Sequence, residues 1–283
     1  MATPKVAVVL ALLLKSDYPE TWTDAFDQLQ SLLVVREGAA HVDLYLRVLC
    51  ALDEEVVTFH VDRSRGETEH NSLIKDTMRA SNAVAQICGV IYEVVGAFKT
   101  EAPHIAAFAL ETLRKYIGWI DIAQVVNKRF LNLFAECLRS PDEQVVQRSC
   151  SCILEVVNKK MADPVSKLRL LQQLKLAEML KQVPLSDESV AVRVAELVDG
   201  VIKQLLSVWD KLEPAALGGS GLTASAPSTS VQSTPSATGA LLQTLKRQLL
   251  AEKQAGGGVG AGRRFRAMDH LPQLLSTLYQ RMK

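Results

Sequence analysis

Four stretches of this chain carry one apolar spacing. Trp22, Phe26, Leu29 and Leu33 fall at intervals of four, three and four residues; Val126, Phe130, Leu133 and Cys137 repeat the pattern, as do Val146, Cys150, Ile153 and Val157, and Val190, Val194, Leu197 and Val201. Such a spacing lines up one side of a 3.6-residue helix and leaves the remainder to solvent. Strand-type alternation is almost absent, so the chain is predicted to be all-α.

Punctuation sets the helix lengths. Ser140-Pro141-Asp142-Glu143 reads as a Ser-capped start with Glu at the third helical position; Asp163-Pro164 and Ser186-Asp187-Glu188 open two more helices, and Pro19 can sit early in another. The predicted helices are 4–15, 19–35, 42–57, 67–79, 82–98, 101–118, 121–139, 141–159, 164–182 and 187–212. Starts near 19, 101, 141 and 187 recur roughly every 40 to 45 residues, with one pair between, as in a HEAT or armadillo α-solenoid of antiparallel helix pairs. A compact helical bundle is the rival, because periodicity does not say which helices are neighbours.

Three regions differ in charge. Residues 1–213 hold 24 Lys and Arg against 29 Asp and Glu, residues 214–240 hold none of either, and residues 241–283 hold 8 against 2. An acidic helical body is thus predicted over 1–213, a disordered Ser/Thr/Gly/Pro linker over 214–240 and a basic segment with two helices over 241–283. The five cysteines lack CxxC spacing and are odd in number, which fits buried thiols in a reducing compartment. The apolar run Val6 to Leu14 is too short to span a bilayer, so neither signal peptide nor membrane insertion is expected.

A convergent catalytic set is not visible. His41, His60, His70, His104 and His270 are scattered and expected to be solvated, at spacings that suit neither a metal nor a relay, so no cofactor and no enzyme activity are expected. The glycine run 257–262 follows a helix and is trailed by Arg263 where a phosphate-binding loop needs Lys. Arg263, Arg264 and Arg266 there read as a basic arm or a solvated linker. Asp53, Glu54 and Glu55 form an acidic helix end, read as solvated or as a patch for a basic partner. Lys75 and Arg79 share a helix face, and Arg114-Lys115, Lys128-Arg129 and Lys159-Lys160 sit near helix ends. Cations at a helix C-terminus complement its dipole; stacked along a solenoid, the same pairs could form a phosphate-contacting track. Aromatic residues do not interleave with them, which favours backbone or shape recognition over base stacking.

Six motifs, in order, resemble the tRNA-exportin family of the importin-β superfamily: Asp17-Tyr18-Pro19-Glu20-Thr21-Trp22, Val42 to Leu49, Asp53 to Val57, Ile74 to Arg79, Trp119-Ile120-Asp121-Ile122, and Glu155 to Met161. The resemblance runs from about Pro4 to Trp209 and resumes from His270 to Leu275 and Arg281 to Lys283. It implies a monomeric HEAT-repeat receptor that binds tRNA cooperatively with Ran-GTP, meets nuclear pore proteins and shuttles between nucleus and cytoplasm without catalysis. Cooperativity of this kind is linkage: each ligand favours the solenoid conformation the other needs. Family chains are several times longer, and their first repeats, which carry much of the Ran contact, have no counterpart before Met1, so an incomplete member is expected. Charge geometry within that context gives Lys75, Arg79, Lys115, Lys128 and Arg129 as candidate tRNA contacts and Asp53, Glu54 and Glu55 as candidate Ran contacts. The alternative is a HEAT-type protein scaffold that binds no RNA.

Overall fold

The recurring stripes point inward: Val146, Cys150, Ile153, Val157, Val190, Val194, Leu197 and Val201 are each at most 2% exposed. The protein is described by a computed structural model for residues 4–31, 33, 38–57 and 62–217, with side-chain surroundings as far as residue 211. The predicted linker beyond residue 217, the basic segment 241–283, the glycine run, His60, His270 and the three arginines after the run lie outside the described residues.

The elements are α1 (Pro4–Asp17), α2 (Ala25–Ser31), α3 (Ala39–Val56), α4 (Arg65–Ala80), α5 (Ala83–Glu101), α6 (Pro103–Ile117), a 3-10 turn (Ile122–Gln124), α7 (Lys128–Cys137), α8 (Glu143–Asn158), α9 (Pro164–Gln173), α10 (Leu176–Leu180) and α11 (Glu188–Leu217). No strand occurs among the described residues. Helices α1, α3, α6 and α8 pack side by side as one row; α2, α5 and α7 form a second row, with α5 against α6 and α7 against α8. Two parallel rows of helices in chain order make a HEAT-type solenoid rather than a closed bundle. Helix α11 extends the first row, its Gly200 against Leu154 of α8, and Gln147 donating to Ser189 Oγ at 2.6 Å. On the second row Arg139, beyond α7, donates to Gln182, beyond α10, at 2.8 Å.

Burial explains the apolar helices. By length and composition α5 could cross a membrane, yet Ile87, Ile91, Val94 and Val95 are at most 1% exposed within the stack. Tyr116, also buried, donates its hydroxyl to Leu49 O of α3 at 3.1 Å, and Cys152 donates to Leu110 O of α6 at 3.0 Å. All five cysteines are free; burial pushes Cys88 and Cys150 up to about 12 and Cys137 up to about 11, so they serve as inert core groups. By contrast α1 turns Val6, Val8, Val9, Leu12 and Leu13 outward, each 43–55% exposed.

The sequence-based boundaries need five corrections, the first being that α11 runs to Leu217, past the predicted end at 212 and into the predicted linker 214–240. Helix α8 is capped by Asp142, whose Oδ1 accepts from Val145 N at 3.0 Å, while Ser140 Oγ accepts from Asp142 N; the competing Asx cap moves the start two residues on. The predicted helix 121–139 begins as a 3-10 turn and restarts at Lys128, because Asn127 Oδ1 accepts from Phe130 N at 3.2 Å. The predicted helix 164–182 breaks at Lys175, which adopts the left-handed conformation at φ 46. The predicted helix 19–35 is only Ala25–Ser31 in the described residues, and Pro19 precedes it. Asp163 caps α9 as expected, accepting from Val165 N and Ser166 N.

Candidate functional site

A helix ends with four carbonyls that lack partners within it. Three contacts join last turn to last turn along the first row. Lys15 of α1 pairs with Glu55 of α3 at 3.2 Å, Lys115 of α6 pairs with Glu54 of α3 at 2.9 Å, and Lys159 Nζ at the end of α8 donates to Ile117 O of α6 at 2.8 Å. The four helices therefore run parallel and gather their carbonyl ends at one edge.

That edge is capped in trans by cations and polar side chains. His70 Nε2 lies 2.6 Å from Lys15 O; Arg63 donates to Glu54 O at 2.9 Å and Asn71 to Glu55 O at 3.3 Å. Lys159 also donates to Ile120 O at 2.6 Å and Gly118 O at 3.3 Å. Lys167, 4% exposed, donates to Val157 O at 2.5 Å and Lys159 O at 2.6 Å, closing α8; burial, then the charge of Lys211, lowers it to about 8. Capping by cations offsets the negative end of each macrodipole.

Most sequence-predicted site residues meet at this edge. Helix α4 crosses it, started by a Ser64 cap that accepts from Glu67 N at 3.2 Å, with Glu67 itself held by Lys15 at 2.8 Å. Lys75 borders a small cleft with Val56, Arg63 and Asn71; burial, followed by the neighbouring Arg79, lowers its pKa. Arg79 pairs with Asp76 at 2.5 Å, donates to Trp119 O at 3.1 Å and lies 5.3 Å over the Trp119 ring. Burial weighs against the Lys115 ammonium, but the hydrogen bond to Glu54 holds its pKa above the ordinary lysine value. Of the acidic trio, Asp53 is buried, 6% exposed, in place of the solvated position read from sequence. Burial raises it to about 6, with Lys115 opposing. Glu54 and Glu55 reach the surface.

Lys128 and Arg129 stand apart. They occupy the first turn of α7 on the second row, where Arg129 pairs with Glu93 at 3.2 Å and covers Tyr92 at 4.3 Å. One continuous track through all five cations is therefore not formed. Sequence reasoning missed the capping roles of Lys159, Lys167, Arg63 and His70, whose partners lie 8 to 55 residues away; the only available signal was a lysine one or two positions past a helix end. Similarly, Glu111 accepts from Arg114 and Arg148 at 2.7 and 2.9 Å on the exposed side of α6 and α8, so Arg114 is spent within the protein.

The family described as Exportin 1-like protein matches residues 3–153, more than half of the 283. The chain belongs to the exportin family. It is similar to Exportin-T of Dictyostelium discoideum, 37% identical over 209 residues, and to Exportin-T of Arabidopsis thaliana, 34% over 211; Exportin-T of Homo sapiens is 33% identical over 214. Each alignment covers 74% of this exportin chain but 18%, 21% and 21% of the respective relative, so the chain spans about a fifth of their length. The family match takes in every candidate residue from Asp53 to Arg129.

Proposed function

We propose that this exportin chain acts in nuclear export of tRNA, binding it together with Ran-GTP, passing nuclear pore proteins as a monomer and shuttling between nucleus and cytoplasm without catalysing a reaction. The observation that carries this reading is the similarity to Exportin-T of three distant organisms. Local physics agrees with it. Lys75 and Arg79 are like charges on one face of α4, and their repulsion lowers the Lys75 pKa after burial does; a phosphate oxygen between them would relieve that repulsion. Lys115, at the same edge, extends the basic set, and Trp119 fixes Arg79 from beneath. Glu54 and Glu55 reach the surface as contacts for a basic patch of Ran, whereas Asp53 lies buried behind them and joins such a contact only through its charge. Lys128 and Arg129 serve as a separate basic pair on the second row. The acidic helical body over 1–213 holds the cargo, and the basic segment over 241–283 adds charge for phosphate.

One observation favours the protein scaffold instead. Glu54–Lys115, Arg129–Glu93 and Arg114–Glu111 pair cations internally, leaving less free charge for phosphate. Filter binding of tRNA across a salt series separates the two. The export reading predicts that affinity falls steeply with salt, and that Lys75→Glu and Arg79→Glu weaken tRNA and reduce the slope by about one per lost contact. Equal affinity for tRNA and unstructured RNA, with no salt dependence, leaves the scaffold.

A further inference from the structure

Of three cations gathered on the second row, two are placed against the local preferences of the chain. Lys128 is the first residue of α7, where the helix dipole opposes a positive charge, and among the described residues no acid forms an ion pair with it. Lys175 holds the left-handed conformation between α9 and α10 at φ 46, a position that glycine fills more readily. Arg139 reaches from the end of α7 to Gln182 past the end of α10. All three line one open groove of about 700 Å³ between α7 and α9–α10. The volume lies in the ordinary range for ligand sites, about 300–1,000 Å³. Non-glycine backbone strain concentrates where a side chain has work to do.

The groove has an apolar floor of Leu131, Ala135, Leu174 and Met179, and Glu178 is the acid on its wall. Lys128, Arg139 and Lys175 thus outnumber the acid. We infer that the groove between α7 and α9–α10 binds a short acidic peptide in which carboxylates alternate with aliphatic side chains. Carboxylates meet Lys128, Arg139 and Lys175 at the rim, and aliphatic groups cover Leu131 and Met179 on the floor. Nucleic acid is the poorer fit: the apolar floor of Leu131, Leu174 and Met179 is matched by aliphatic side chains and by nothing on a sugar–phosphate backbone.

Fluorescence anisotropy of the full chain with a labelled twelve-residue peptide of alternating Glu and Leu tests the assignment. The Glu peptide is expected to bind about tenfold more tightly than its Gln-for-Glu counterpart, and Lys128→Glu and Lys175→Glu are each expected to weaken it several-fold. Lys175→Gly removes the charge while relaxing the backbone, so it is expected to melt no lower than the parent yet lose the same binding. Carbodiimide coupling followed by mass spectrometry is expected to join the peptide to Lys128 or Lys175. Equal binding of the Glu and Gln peptides, coupling confined to other lysines, or unchanged binding in Lys175→Gly overturns the proposal. So does a finding that Lys128→Glu and Lys175→Glu weaken tRNA binding while leaving the peptide unaffected.

Discussion

Replacing Lys159 by methionine removes the ammonium that closes the end of α6 while keeping a chain of similar length. Its Nζ donates to Ile117 O at 2.8 Å, Ile120 O at 2.6 Å and Gly118 O at 3.3 Å. Ile117 and Ile120 are at most 2% exposed, so water replaces the lost donor poorly there; Gly118 is exposed and its carbonyl can be rehydrated. Two charge-assisted hydrogen bonds contribute about 1.5–3 kcal/mol each. Against this stands the burial that lowers the Lys159 pKa, with Asp121 only partly compensating, a desolvation cost the methionine escapes. The expected net loss is about 2–3 kcal/mol, or a Tm lower by roughly 5–10 °C for a unit of this size. Urea unfolding followed by far-UV circular dichroism measures it, with Lys160→Met as the comparison, since Lys160 is exposed and should change stability by less than about 0.5 kcal/mol. If Lys159→Met and Lys160→Met are equally stable, the carbonyl-capping account of this edge is wrong.

Asp53→Asn tests the buried carboxyl. Burial raises Asp53 to about 6, so between its unfolded value near 4 and that value the native state holds a proton that the unfolded chain has released. Stability therefore falls as pH rises across that window and stays lower above it; Asp53→Asn is expected to flatten this slope and to gain up to about 3 kcal/mol at pH 7. A variant less stable than the parent at pH 7 contradicts the assignment. Tyr116→Phe is expected to cost about 1 kcal/mol through the hydrogen bond to Leu49 O, measured by thermal melting. At Gly200 an added Cβ would lie 2.5 Å from Leu154 Cδ1. Leu154 Cδ1 is the tip of a half-buried side chain that can swing aside, so its displacement offsets the gain of about 1 kcal/mol in helix propensity; Gly200→Ala should leave stability within about 1 kcal/mol of the parent, with the full gain returning in a Leu154→Ala background in a double-mutant cycle.

Periodicity carried much of the fold. The stripe Val146, Cys150, Ile153 and Val157 is fully internal, and a residue spaced by helix turns needs no partner's identity to be placed on the buried side. The helical class and the Asp163 cap were thus legible from short-range pattern, whereas the recurring helix starts suggested a solenoid but left a bundle open. The breaks at Asn127 and Lys175 were not: the first arises because an Asn side chain outcompetes the helix backbone, and Lys175 adopts a conformation that its residue type disfavours. The candidate site was legible only in part. Lys75 and Arg79 share a face by spacing alone, but Asp53 is buried because α6 lies over it. Lys159 looks like a surface cation until the end of α6, some 40 residues earlier in the chain, is brought beneath it. Long-range packing decides these cases, and the spacing within one helix carries no record of it.

Under the export proposal a tRNA and a GTP-bound Ran are held together by this exportin chain, and the affinity of the chain for tRNA with and without Ran-GTP tests that proposal most directly. Linkage requires that Ran-GTP tighten tRNA binding by the same factor by which tRNA tightens Ran-GTP binding, about 5–150-fold for ordinary coupling energies. Ran-GDP is expected to leave tRNA affinity unchanged, and Lys75→Glu with Arg79→Glu is expected to reduce tRNA binding in both conditions. Identical tRNA isotherms with Ran-GTP, with Ran-GDP and with neither contradict the account.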